Sequence, residues 1–192
     1  MRYKSASRLA PLLFLAAAPL ARAHPGHGPA DLTSGFIHPF TGWDHLLAMV
    51  AVGIWATQLG GRSLWALPGA FVGAMAAGAA LGAAGFAPPG VEWWILSSVF
   101  ILGLLVASAA RVPVPVGIAV TAAAGFVHGI AHGMEMPFQA ANVRFLAGMV
   151  VATAILHSLG VAAGVLGGRR SPAIVRIAGA GIAACGVALL FS

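Results

Sequence analysis

The chain has 192 residues, of which 60% are hydrophobic and only 7% are charged. A soluble domain is about half apolar and about a quarter charged, so this composition excludes an ordinary soluble domain. The formal net charge of +6 does not indicate a nucleic-acid-binding protein, because the basic residues are not clustered as a binding face would require. The composition is that of an integral membrane protein.

The first 23 residues have the pattern of a cleaved secretory signal peptide. Three basic residues are followed by an apolar run at 9–20 and by an A-x-A-like cleavage site at 21–23. This run is shorter than the roughly 20 residues that cross a bilayer. An uncleaved N-terminal anchor is the alternative. Cleavage would lower the net charge to +2 and leave a histidine-containing periplasmic segment at 24–35, followed by the membrane domain at 36–192.

The mature chain divides into six apolar segments separated by Pro, Gly and Arg. Each is close to the roughly 20 residues that a transmembrane helix needs. Small residues recur at four-residue spacing in several of them, which favours close helix packing in lipid. The sequence therefore predicts an all-α membrane protein, a compact six-transmembrane-helix bundle. Its spans are 36–58, 64–85, 92–110, 114–133, 142–166 and 172–191.

Basic residues beside the spans predict the orientation of this bundle. Arg62 follows the first span, Arg111 follows the third, and three further arginines surround the turn between the fifth and sixth. Because positive charges are enriched in cytoplasmic loops, these connections should face the cytoplasm. The mature N- and C-termini should then be periplasmic, in a bacterial inner membrane.

The first span opens with a group of polar residues that is unusual at membrane depth. His38 and His45 lie about 20° apart on a helix of 100° per residue, and Asp44 projects from the neighbouring stripe. Ionisable groups inside a membrane are costly and usually functional. We interpret all three as candidate metal ligands, the alternative being a structural hydrogen-bonded pair.

The end of the fourth span carries a second group. His128 and His132 are four residues apart, a spacing that can place two imidazoles on one metal ion. If the helix continues past Gly133, Glu135 falls within about 20° of His128. The sequence thus predicts a His, His and Glu stripe that descends from the outer surface.

Four further residues are candidate ligands with an open alternative for each. Glu92 is an entrance ligand or an ordinary helix-start carboxylate, and His157 is a ligand or a packed core residue. His24 and His27 form an entrance site with the new N-terminus, or belong to a plain flexible tail.

The chemical types of the candidate ligands restrict which metal ions could bind. Imidazoles with carboxylates suit Ni, Co, Zn, Cu or Fe rather than Mg or Ca. The only cysteine, Cys185, excludes an intramolecular disulfide and a CxxC metal site. If the metal ion is transported cargo, no prosthetic group is expected.

Residues 38–53, HPFTGWDHLLAMVAVG, resemble the HPxxGxDHxxxMxxVG signature of the HupE/UreJ family. The similarity extends to the signal peptide, the six-span length and the region from His128 to Glu135. It implies a secondary permease for nickel, and sometimes cobalt, in the context of hydrogenase or urease maturation. It also implies metal-handling positions, which are His38, Asp44 and His45, with Glu92, His132 and Glu135 as further candidates.

These observations favour a non-enzymatic uptake permease for Ni²⁺ or another first-row divalent ion such as Co²⁺, Cu²⁺ or Zn²⁺. The chain has no Gly-x-x-x-x-Gly-Lys phosphate loop and so no means of its own to hydrolyse ATP. Two other classes stay open. One is an intramembrane zinc-dependent hydrolase, because histidines and an aspartate can hold a catalytic zinc. The other is an outward-facing metal sensor that binds an ion without conducting it.

Overall fold

The computed structural model describes residues 31–135 and 141–191, and these form seven α-helices. The predicted signal peptide, His24 and His27 lie outside the described residues. The helices are α1 (Leu32–Thr41), α2 (Trp43–Leu59), α3 (Ser63–Ala83), α4 (Val91–Ser108), α5 (Val114–Glu135), α6 (Ala141–Arg170) and α7 (Pro172–Leu190). Five of them, α3 to α7, are long and apolar enough to cross a membrane.

The predicted count of six helices is wrong at the first span, which is two helices. Gly42 separates α1 from α2 with an extended backbone (φ −96°, ψ 119°). Pro39 lies in the last turn of α1, where a missing N–H weakens the helix. The later spans agree with α3 to α7, so the fold is an all-α membrane protein with a broken first span.

Glycines allow the long helices to pack closely in pairs. A Cβ at Gly78 would overlap the backbone of α5, one at Gly53 that of α6, and one at Gly103 that of α7. The pairs are therefore α3 with α5, α2 with α6, and α4 with α7. Such small-residue contacts let helix backbones approach in lipid, where apolar burial does not drive association.

Not every glycine at four-residue spacing has this role. Gly82, Gly160 and Gly164 also face a neighbouring helix, whereas a Cβ at Gly69, Gly73 or Gly168 would meet no atom within 4 Å among the described residues. Spacing alone did not distinguish the two groups, because it does not say which side of a helix has a neighbour.

The bundle has two chemically different ends. We define the histidine end as α1, the starts of α2 and α4, and the end of α5. The arginine end comprises the ends of α2, α4 and α6 and the starts of α3, α5 and α7. At the arginine end, the Trp55 indole donates to the Ala110 carbonyl (3.0 Å) and the Gln58 amide to that of Val106 (2.9 Å).

Exposed tryptophans mark both ends. Trp43, Trp93 and Trp94 are exposed at the histidine end, and Trp65 at the arginine end. Tryptophan is enriched at both membrane–water interfaces. The four tryptophans thus have positions typical of interfacial anchors.

The start of α1 depends on the carboxylate of Asp31. This side chain accepts a hydrogen bond from the Ser34 backbone N–H (2.8 Å), and the Ser34 hydroxyl accepts one from the Asp31 N–H (2.9 Å). The two bonds form a capping box, which satisfies backbone donors that have no partner inside the helix. The Ser34 N–H, followed by the Ser34 side chain, lowers the pKa of Asp31 below its ordinary 3.8.

The cap is therefore expected to be lost only in strong acid. Because the folded pKa is lowered, the capping contribution is present above pH 3.8 and disappears as pH falls through the lower folded value. In an NMR titration, the Ser34 amide should follow Asp31 with a midpoint below 3.8. Asp31→Asn, which can still cap the helix, should abolish the titration. A midpoint at or above 3.8 would contradict this account.

Candidate metal centre

Three histidines from three different helices converge at the histidine end. They are His38 of α1, His45 of α2 and His132 of α5, and one nitrogen from each lies within 4.8 Å of the others. His38 Nε2 is 3.1 Å from His132 Nδ1, and the His45 and His132 ring centroids are 4.4 Å apart. His45 and His132 are buried and His38 is half-buried. We call this group the histidine triad.

The break at Gly42 decides how the triad forms. The prediction that His38 and His45 are successive members of one helical stripe is wrong. The two residues lie on either side of the break, and their ring centroids are 5.7 Å apart. A Cβ at Gly42 would lie 2.7 Å from Asp44 Oδ1 and 3.1 Å from His45 Nδ1. A larger residue here would require the Asp44 carboxylate to shift from its position against His45.

Asp44 holds His45 in a defined orientation. Its Oδ1 is 2.6 Å from His45 Nδ1 and accepts a second hydrogen bond from the His45 backbone N–H at 2.9 Å. An imidazole whose Nδ1–H donates to a carboxylate keeps its Nε2 lone pair for a metal. His45 Nε2 is buried without a hydrogen-bond partner among the described residues. In this arrangement Asp44 orients the His45 ring and is not itself part of the triad.

Glu135 lies at the outer edge of the triad. Helix α5 continues through Gly133 to Glu135, as the predicted stripe requires, and Glu135 Oε2 is 3.8 Å from His38 Nε2. Its side chain is 55% exposed. Glu92 is at the start of α4, at the same end of the bundle. Glu135 thus places one carboxylate beside the triad on its more exposed side.

His128 and His157 lie deeper in the bundle and are almost fully buried. His128 Nδ1 is 2.8 Å from the Ala124 carbonyl, and His157 Nδ1 is 2.8 Å from the Met49 carbonyl. Because a carbonyl only accepts, each Nδ1 carries the proton and each Nε2 keeps its lone pair. His128 packs behind His45 (ring centroids 5.2 Å) and is not part of the triad.

Phe71 of α3 contacts both deep histidines. Its ring centroid is 5.5 Å from that of His128 and 5.1 Å from that of His157. Phe71 is not among the predicted site residues, because no motif or spacing distinguishes it from other apolar residues of α3. Only the packing of α3 against α5 and α6 gives it this position.

Four of the buried imidazoles have a ring nitrogen that no hydrogen-bond donor or cation contacts among the described residues. The Nε2 atoms of His45, His128, His132 and His157 have no hydrogen-bond partner among the described residues. A buried polar atom without a partner costs about 1–3 kcal/mol, and native structures keep few of them. A metal ion would satisfy several of these lone pairs at once.

The fold and this cluster define a multi-pass helical membrane protein with imidazoles lining its interior. The family profile described as HupE / UreJ protein matches residues 12–189. The chain belongs to the HupE/UreJ family, as its sequence signature implies. It is 43% identical to Protein HupE of Rhizobium leguminosarum bv. viciae over 180 residues, which cover 93% of this chain and 94% of that protein. No solved structure is significantly similar.

Membership also constrains the class of function. HupE/UreJ proteins are a transporter-type family associated with nickel and cobalt, and not a family of enzymes. The ten predicted site residues now divide by place. Three form the triad, Asp44 orients one of them, and Glu135 lies beside it. Glu92 is at the start of α4, two histidines lie deeper, and His24 and His27 lie outside the described residues.

Proposed function

We propose that this chain is a secondary permease that imports a divalent transition-metal ion, Ni²⁺ or Co²⁺. The observation that carries this proposal is the histidine triad, three imidazoles from separate helices that meet within 4.8 Å inside a membrane protein. Imidazole is a favoured ligand of Ni, Co, Cu and Zn. A transported ion must bind well enough to enter and weakly enough to leave, which a thiolate-free site permits.

In this proposal the ion moves along a series of ligands. Glu92 and Glu135 attract it at the outer edge, together with His24 and His27 of the N-terminal segment. The triad then binds it, with Asp44 orienting His45, and His128 and His157 receive it deeper in the bundle. The unpartnered Nε2 atoms of the two deep histidines support this order.

The membrane potential supplies the driving force in this proposal. We place the protein in a bacterial inner membrane with residues 1–23 removed, the histidine end toward the periplasm and the arginine end toward the cytoplasm. The positive-inside rule supports this orientation. Inward movement of a divalent cation gains about 4.6 kcal/mol per 100 mV, twice the value for one charge. From the family resemblance, we expect the imported metal to be used in hydrogenase or urease maturation.

Uptake of radioactive nickel into sealed vesicles tests the proposal. Vesicles that hold the purified protein should accumulate nickel saturably under an inside-negative potential, and excess Co²⁺ should compete more strongly than Mg²⁺. Cu²⁺ and Zn²⁺ belong in the same series, because binding affinity alone favours Cu. Binding without accumulation, under a potential or a pH gradient, would contradict transport and favour the sensor. Retention of stoichiometric zinc with lipid or peptide hydrolysis would favour the hydrolase.

His157 provides a sharper test of the path. His157→Gln keeps an N–H donor for the Met49 carbonyl but removes the imidazole lone pair, so uptake should fall roughly tenfold or more while metal affinity at the triad changes little. Ser158→Ala, at an exposed position of the same helix, is the matched control. Normal uptake by His157→Gln, with reduced thermal stability, would instead assign His157 to packing.

A further inference from the structure

A cavity of about 380 Å³ lies at the arginine end, far from the histidine triad. It is formed where the ends of α2, α4 and α6 meet the start of α7. Three arginines line it, each from a different segment: Arg111 after α4, Arg169 near the end of α6, and Arg176 in α7. The proposed transport path does not use these residues.

The cavity is positively charged without a counter-ion from the chain. All four carboxylate side chains of the sequence (Asp31, Asp44, Glu92 and Glu135) belong to the histidine end. Arg111 and Arg169 have no hydrogen bond or ion pair among the described residues, and Arg176 uses its Nε to donate to the Ala107 carbonyl at 2.8 Å. Most of the N–H groups of three guanidinium groups thus stay available.

The other residues that line the cavity indicate a ligand with an apolar part as well as an anionic group. Val165, Pro172 and Val175 form an apolar wall beside the arginines. Gln58 lines the same cavity, and its Oε1 is buried without a hydrogen-bond partner among the described residues, while its Nε2 donates to Val106. The cavity thus combines donors for an anion with a surface for hydrocarbon.

We infer that this cavity binds the headgroup of an anionic glycerophospholipid, with the phosphate on Arg111, Arg169 and Arg176. Guanidinium groups match phosphate oxygens in charge and geometry, and basic pockets between transmembrane helices are recognised headgroup sites. A free phosphate ion has the same charged group but would leave the apolar wall uncovered. The bound lipid would neutralise positive charge at this end of the bundle and join α4, α6 and α7.

Lipid binding to the purified full-length protein in detergent tests this inference without any transport measurement. Phosphatidylglycerol should be retained in native mass spectra and should raise the thermal unfolding midpoint, because a ligand that binds only the folded state stabilises it. Phosphatidylcholine and inorganic phosphate are the two comparison probes. The double variant R111Q/R169Q should bind phosphatidylglycerol roughly tenfold or more weakly, since bonds to charged groups are lost.

The matched control removes the same charge from the same end of the bundle. R62Q/R170Q replaces two arginines that do not line the cavity, and its affinity for phosphatidylglycerol should stay within about twofold of the wild type. Equal losses in the two double variants would overturn the assignment in favour of general surface attraction. Equal stabilisation by inorganic phosphate would overturn the lipid as ligand. If R111Q/R169Q does not fold, equal retention of phosphatidylglycerol and phosphatidylcholine by the wild type overturns the site.

Discussion

Replacement of His45 by alanine is expected to abolish saturable metal uptake and to weaken metal binding by at least ~100-fold. His45 is the member of the triad that is oriented by a carboxylate, and its buried Nε2 has no other partner among the described residues. Its ring also contacts both His38 and His132. Isothermal calorimetry with Ni²⁺, beside vesicle uptake, measures the two effects.

The Asp44→Asn variant separates orientation from ligation. An asparagine is nearly isosteric but carries no charge, so it stabilises the Nδ1-protonated imidazole of His45 less strongly than the carboxylate does. Loss of an outer hydrogen-bond partner of a ligand typically costs 10–100-fold in metal affinity, and we expect a loss of about that size. Asp31→Asn removes a carboxylate from the same end of the bundle, where it only caps α1, and should leave affinity unchanged. Unchanged affinity in Asp44→Asn would refute the orienting role, and an effect as large as that of His45→Ala would make Asp44 a direct ligand.

Gly78→Ala is expected to destabilise the bundle by about 1–3 kcal/mol, because overpacking a close interface forces the backbones apart. The new Cβ would overlap the Phe126 carbonyl oxygen of α5. This helix carries His128 and His132, so separation of α3 from α5 should also displace the triad and lower uptake. Thermal unfolding in detergent and nickel uptake per folded protein are the measurements.

Gly69→Ala is the control on the same helix. A Cβ at Gly69 would meet no atom within 4 Å among the described residues, and alanine favours a helix by roughly 0.5–1 kcal/mol over glycine. This variant should therefore be as stable as the wild type or slightly more stable, with normal uptake. Similar destabilisation in both variants would show that the close contact at Gly78 is not the cause.

The sequence was sufficient for the class of protein and for most residues of the candidate site. Runs of apolar residues report directly on membrane helices, so α3 to α7 agree with five of the six predicted spans. The long motif at 38–53 identified the family, and the profile match confirmed it. Polar residues are so rare in this chain that His38, Asp44, His45 and His132 stood out by composition alone.

The tertiary structure decided which of these residues meet. His38 and His132 are 94 positions apart, yet their nitrogens are 3.1 Å apart, while the expected pair of His128 and His132 divides between a deep position and the triad. Pro39 and Gly42 indicate a possible bend in the first span, but the division into two helices, the place of Phe71 and the arginine-lined cavity emerged only from the structure. Sequence periodicity describes the face of one helix, but contacts between helices depend on which glycine faces come together and in what register. That information belongs to the whole bundle and to no single segment of it.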